Sequence, residues 1–446
     1  MAVVSRLMIT GAWCAGLFMA TLAGPAQAQN VAPVSDLSCP NAAPAPKFTA
    51  SRPAGSVSMA GNQMPSDAEL GPLARTTVRE QPALDAQSVA GFAVGNGASR
   101  RLALWGDSHI AGGPFMATMM GVLRDKGLTV APQFLPPTMG RANVVLPGLR
   151  AFCIGSSWST EIAYTSPNAL DIGPALANRT AEAGAESYLW LDLRDGNRQA
   201  NVRQVNVVYG ATNGATLAYS IDDGPVQNAL LKSAGGSQLL TLQASRAIST
   251  LKLRVSQGKL TLYGFKLDAA TPPAVGFDVF GLPSSTVKGW ANANPAFIKQ
   301  ALSGVSYDGV VLEYGTNEGA DADFDSDKYT AMLSKALTNM RTVFPDASCV
   351  LVGPPDRGVL RQGKRPSQPL LQYSRVHQQI ENVQRDVGRR FGCAAWSWQG
   401  LMGGPGGSYG WAHAQPSMMG RDLIHLSPDG YRRTGRALAH SLGWSP

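Results

Sequence analysis

The chain has 446 residues, of which 44% are hydrophobic and 15% charged, with a formal net charge of +8 at pH 7. That length is more than one core usually carries and suggests two domains. No block of Lys and Arg marks a nucleic-acid-binding surface, and the basic balance suits either contact with anionic cell-envelope polymers or solubility alone.

Met1 to Ala28 has Arg6 near its start, an apolar stretch around Leu7 to Leu22, and Ala26-Gln27-Ala28 at its end. This is the pattern of a cleavable secretory signal, with an apolar part too short for a membrane span. Cleavage is expected after Ala28, giving a periplasmic or secreted protein with no stable membrane insertion. Cys14 sits in the apolar stretch as Ala-Trp-Cys, a poor lipoprotein signal. Cys39, Cys153, Cys349 and Cys393 remain after cleavage, and an even count in an oxidising compartment favours disulfides. No Cys-x-x-Cys or His/Cys cluster has metal-ligand spacing, so no metal and no cofactor are expected.

Residues 29–88 are rich in Ala, Pro and Ser and read as a mobile arm that Cys39 could pin. Leu102 to Trp105 is a continuous apolar run, as in a strand covered on both faces, and Phe115 to Leu123 reads as a helix. From 151 to 270 the segments "ESYLWLDL", "VRQVNVVYG", "ATLAYSIDDG", "SQLLTLQA", "STLKLRVSQG" and "KLTLYGFKLD" alternate in polarity between turn residues, which indicates a β-sandwich. Val275 to Phe280, Gly309 to Tyr314 and Cys349 to Val352 are again short apolar strands. Between the later ones, Tyr329, Met332, Leu333, Leu337, Met340 and Phe344 share one helical face, and Tyr373, Val376, Ile380, Val383 and Val387 share another. Strands alternating with amphipathic helices indicate a parallel α/β sheet. The expected fold class is therefore an α/β domain, residues 89–150 and 271–446, interrupted by an all-β sandwich at 151–270. Cys349 and Cys393 begin neighbouring parallel strands and are expected to bridge, leaving Cys39 to pair with Cys153.

Ligands of parallel α/β sheets bind at the carboxyl ends of the strands. Ser108, in "WGDSHIAGG", follows such a strand, and a serine needs a base to become nucleophilic. Among the five histidines, His109 is expected to point away, His377 to be a boundary residue within an amphipathic helix and His440 to be exposed. His413, in a Gly-rich loop, is a candidate substrate contact. His425, in "GRDLIHLSPDG", has Asp422 three residues before it, where a carboxylate can fold back on the Nδ1–H and leave Nε2 as base. Asp107 is expected to bond nearby backbone.

Gly-Asp-Ser and Asp-x-x-His at the two ends of an α/β domain resemble the SGNH, or GDSL-type, hydrolases. "YGTNEG" supplies Asn317 and "DVFGLPSST" supplies Gly281 where that family has its Gly-x-Asn and single-glycine blocks, with Gly140 a rival for the second. The family has Asp after that Asn; this chain has Glu318. The resemblance implies a flavodoxin-like sheet, a Ser108–His425–Asp422 triad, and an oxyanion hole of Ser108, Gly281 and Asn317. The large insert, the export signal and "YGTNE" together resemble a narrower group, the bacterial peptidoglycan O-acetylesterases, in which a carbohydrate-binding-like β module interrupts the SGNH domain. The implied partner is an O-acetylated polysaccharide, with peptidoglycan foremost and with Trp158 and Trp190 as candidate sugar platforms. Two alternatives stay open: a periplasmic polysaccharide O-acetyltransferase using the same triad, and a non-catalytic glycan-binding component of exopolysaccharide export.

Overall fold

The computed structural model describes residues 43–44, 62–75, 84, 89–95, 97–166, 171–321, 323–362 and 365–444. The expected signal segment and Cys39 lie outside them. Six parallel strands form the central sheet: β1 (Arg100–Gly106), β2 (Val130–Ala131), β3 (Val275–Gly281), β4 (Gly309–Glu313), β5 (Ser348–Val352) and β6 (Cys393–Trp396). Their spatial order is β6-β5-β4-β1-β3-β2. The helices relevant to the site are α1 (Ser108–Ala111), α2 (Pro114–Asp125), α3 (Ser326–Val343), α4 (Gln372–Arg390) and α5 (Pro428–Ser441).

The strand pleat sorts the apolar residues onto two faces. From β1, Leu102 and Leu104 join Phe115, Met119 and Leu123 of α2 and Leu438 of α5 in one core. Ala103 and Trp105 join Leu333, Leu337 and Met340 of α3 and Ile380 and Val387 of α4 in the other. Both faces are thus covered, which is why the strands read as unbroken apolar runs. Cys349 and Cys393 face each other in the β5–β6 register and form the expected disulfide, with Cα atoms 4.5 Å apart. Cys153 is also disulfide-bonded; the expected Cys39–Cys153 pairing falls on a residue outside the described ones.

Two antiparallel sheets form the sandwich. One orders Ala43–Pro44, Ala151–Ile154, Tyr188–Asp192, Thr250–Gln257, Thr216–Ile221 and Gln227–Leu230; the other orders Gln238–Ile248, Val202–Ala211, Lys259–Ala269, Ala177–Glu182 and Ser159–Ile162. Phe134–Leu135, which precedes the expected insert, also pairs with Lys259–Ala269. The sandwich is fused to the parallel sheet: Val208 and Tyr263 pack in the core that holds Trp105, and the Trp105 indole donates to Pro174 O at 2.7 Å.

The expectation of a mobile arm is corrected for its described part. Asn62–Gln63 pairs with Arg361–Gln362, Glu69 forms an ion pair with Arg361 at 3.4 Å, and Leu70 is buried in the α2–α5 core. A few apolar anchors and one ion pair suffice to dock a segment whose composition shows no periodicity.

Candidate active site

β1, β3, β4 and β5 all end at one edge of the sheet, and site residues stand at or after their last positions. α1 begins at Ser108 immediately after β1, capped by the Asp107 carboxylate, which accepts the His109 N–H at 2.9 Å. This tight reversal depends on two glycines. A Cβ on Gly106 would lie 2.3 Å from the Ile110 side chain, and one on Gly281 would lie 2.4 Å from Ala111 N. Neither position accepts a larger residue without displacing α1. Gly281 therefore lies at the end of β3 against α1. Gly140, its rival, lies against Phe152 and Ile154 of the sandwich.

Ser108 Oγ is 3.0 Å from His425 Nε2, and His425 Nδ1 is 2.7 Å from Asp422 Oδ2. A carboxylate can only accept, so Nδ1 carries the proton and Nε2 accepts from the Ser108 hydroxyl. Asp422 Oδ1 accepts the backbone N–H groups of Ile424 and His425 at 3.0 and 2.9 Å. The loop is closed further by Gly420 N–H to His425 O and by Gly358 N–H to Leu423 O. Leu423 adopts φ 54°, a left-handed conformation unusual for leucine that turns Asp422 back toward the imidazole. Ser427 then caps α5, which starts with Pro428.

Burial of Asp422 alone would raise its pKa, but the His425 hydrogen bond and charge, with the backbone N–H groups, hold it below the usual carboxylate value. Burial of His425 disfavours the imidazolium. The Asp422 hydrogen bond and charge outweigh that, with Asp107 adding, so the pKa is raised. Serine hydroxyl, imidazole and carboxylate thus stand in the order that general-base activation of a nucleophile requires.

Asn317 lies at the same edge, after β4. Its amide donates to Ser285 O at 2.8 Å and, in a longer contact, to Asp107 Oδ2 at 3.2 Å. The family resemblance implied an amide aimed at an oxyanion; in this structure both of these contacts are to protein. Behind it sits a buried acidic group that the sequence reading did not single out. Glu313 Oε2 accepts the Asp107 N–H at 3.2 Å, and burial beside the Asp107 charge pushes its pKa well up; burial also raises Asp107, to about 6. Glu318 accepts the Val287 N–H at 2.8 Å and is raised to about 7, chiefly by burial.

His109 packs behind the catalytic base. It is fully buried, with Nδ1 2.9 Å from the Tyr431 hydroxyl, and burial depresses its pKa well below the ordinary value. Its ring lies 5.3 Å from that of His425, behind the base. His377 is fully buried rather than a boundary residue; its Nδ1 contacts Pro355 O at 2.6 Å, and its pKa is lowered to about 4 by burial.

The suggested substrate contacts fare differently. His413 has both ring nitrogens engaged, by Tyr409 O at 2.8 Å and Asp67 at 2.9 Å, so it is not free to bind substrate. Trp158 is a core residue of the sandwich, 7% exposed, with its indole donating to Tyr188 O. It offers no face to a sugar, because strand-spaced aromatics on the inner face fill the inter-sheet space. Trp190 is half-buried on its strand.

A parallel sheet with Ser108, His425 and Asp422 gathered at its carboxyl edge defines a hydrolase fold of the SGNH type. Residues 256–433 match the model of the GDSL-like Lipase/Acylhydrolase family. A solved peptidoglycan O-acetylesterase superposes with a TM-score of 0.59 at 22% identity, over 80% of this chain and 93% of that one. A family two carbohydrate esterase from Clostridium thermocellum, solved with cellohexaose, gives a TM-score of 0.27 at 13% identity, over 66% and 99%. No curated protein sequence matches the chain.

Proposed function

We propose that the protein is an exported serine esterase that removes O-acetyl groups from a cell-envelope or extracellular polysaccharide, peptidoglycan foremost. The observation that carries this reading is the continuous chain from Ser108 Oγ through His425 to Asp422. His425 Nε2 takes the Ser108 proton as Oγ attacks the acetyl carbonyl. The sugar hydroxyl leaves with that proton, and water, activated by the same imidazole, releases acetate from the acetyl-enzyme. The N–H groups of Ser108 and Gly281 and the Asn317 amide receive the oxyanion. For this the amide exchanges its longer contact, to Asp107 Oδ2, for the oxyanion. The likeness to an O-acetylesterase supports the substrate class, and the Cys349–Cys393 disulfide is consistent with export.

The sandwich supports a polymeric substrate by position. Its core includes Ala111 of α1, so the sandwich packs against the helix that carries Ser108. Acetate release should be measured from O-acetylated peptidoglycan, acetylated xylan, cellulose acetate and an aryl acetate. The expected result is a higher kcat/KM on one polymer than on the aryl ester, because remote contacts supply binding energy. Turnover of the aryl ester alone would overturn the polysaccharide assignment.

The base must be neutral to act. kcat/KM should therefore rise with pH through the raised pKa of His425 and fall away below it. Asp422→Asn removes the hydrogen bond and charge that raise this pKa. Its acid limb should shift to lower pH while turnover drops. A limb unmoved by the substitution would contradict the assignment of His425 as base.

A further inference from the structure

The loop after β5, Gly353 to Gly358, leaves the same sheet edge, bonds the Asp422–His425 loop, and carries a cation the mechanism does not use. Arg357 is half-buried, with its guanidinium 4.0 Å above the Tyr373 ring. Its Nε has no hydrogen-bond partner among the described residues. The next residue, Gly358, bonds Leu423 O at 2.9 Å, which fixes Arg357 beside the Asp422–His425 loop. Asp422 attracts it, yet that carboxylate is already committed to the His425 ring and to two backbone N–H groups.

This placement is unfavourable for catalysis taken alone. A cation near His425 opposes the imidazolium that forms as Ser108 attacks, and the Arg357 charge does act on His425 in that direction. A guanidinium drawn partly out of water without an anion is itself costly. A ligand anion would relieve both penalties at once, and the planar fork of arginine matches a carboxylate.

We propose that Arg357 is a carboxylate receptor that makes the enzyme selective for glycans bearing a carboxylate, as on a uronic acid or a lactyl ether, close to the acetylated hydroxyl. This rests on the esterase reading above and names the substrate class of that same site. Tyr373 holds the guanidinium as a flat platform. Substrate binding neutralises Arg357, so His425 gains its proton without the opposing charge. The preference then appears in turnover as well as in affinity.

The test uses O-acetylated oligogalacturonate and the same oligomer with its carboxylates methyl-esterified, with acetate as the readout. The wild-type protein should prefer the carboxylate form by roughly 10- to 100-fold in kcat/KM. Arg357→Gln should bring that ratio close to one, and Arg357→Lys, a point charge without the fork, should retain part of it. In the Ser108→Ala background, which needs no turnover, calorimetry should show oligogalacturonate binding weakened by Arg357→Gln but not when the ligand is methyl-esterified. A wild-type ratio near one, or a ratio unchanged in Arg357→Gln, overturns the proposal. If no ester is hydrolysed at all, the esterase reading fails separately, and the binding comparison alone decides the role of Arg357.

Discussion

Ser108→Ala and His425→Ala should each lower kcat on any ester by on the order of 10⁵- to 10⁶-fold, and the double variant should be no worse than either. Non-additivity follows from the geometry. Ser108 Oγ has its base at 3.0 Å, and without His425 the hydroxyl keeps its proton at neutral pH. Without Ser108, the imidazole has no nucleophile to serve. Asp422→Asn should cost about 10⁴-fold, because an amide at 2.7 Å from Nδ1 presents a donor as readily as an acceptor and stabilises the wrong tautomer. All three side chains lie at the sheet edge rather than in either apolar core, so circular dichroism and thermal melts should stay close to the wild type. Wild-type turnover in Ser108→Ala would remove Ser108 from the mechanism.

Asn317→Ala should lower kcat by roughly 100- to 1000-fold with KM nearly unchanged. An oxyanion donor acts on charge that exists only in the transition state, so its loss falls on turnover. Asn317 also donates to Ser285 O and Asp107 Oδ2, and the first bond positions the amide while the second is the weaker. A role confined to holding the Ser285 loop would show as lost thermal stability with kcat preserved. Measuring both in the same variant separates the two readings.

The catalytic edge was largely legible in the sequence because its residues stand at abrupt changes of pattern. The apolar run of β1 stops at Gly-Asp-Ser, and the loop before α5 carries Asp422 and His425 three positions apart. The family match at 256–433 does not reach Ser108, since the sandwich separates β1 from β3; the serine motif and the fold join them. The six alternating segments of the insert appear as strands for the same reason of pattern.

Other features left no signal. Ala177–Glu182 is a strand in which the adjacent Asn178 and Arg179 are both buried, and Arg179 donates hydrogen bonds to Pro137 O and Met139 O. Polar residues satisfied by loop carbonyls erase alternation. Glu313 ends an otherwise apolar strand, and its burial beside Asp107 depends on β4 lying next to β1. Arg357 and Tyr431 reach the site only through the packing of β5 and α5. Trp158 and His413 were misleading in the opposite sense. Side chains suited to sugar contact in isolation are spent on the sandwich core and on Asp67.

The central claim is that Ser108 is the residue acylated by an ester. Treating the full-length protein with a fluorophosphonate, then locating the adduct by peptide mass spectrometry, tests it most directly. The expected result is one stoichiometric adduct on Ser108, strongly slowed in His425→Ala and absent in Ser108→Ala. An unlabelled wild-type protein, or an adduct on another residue that persists in Ser108→Ala, would contradict it.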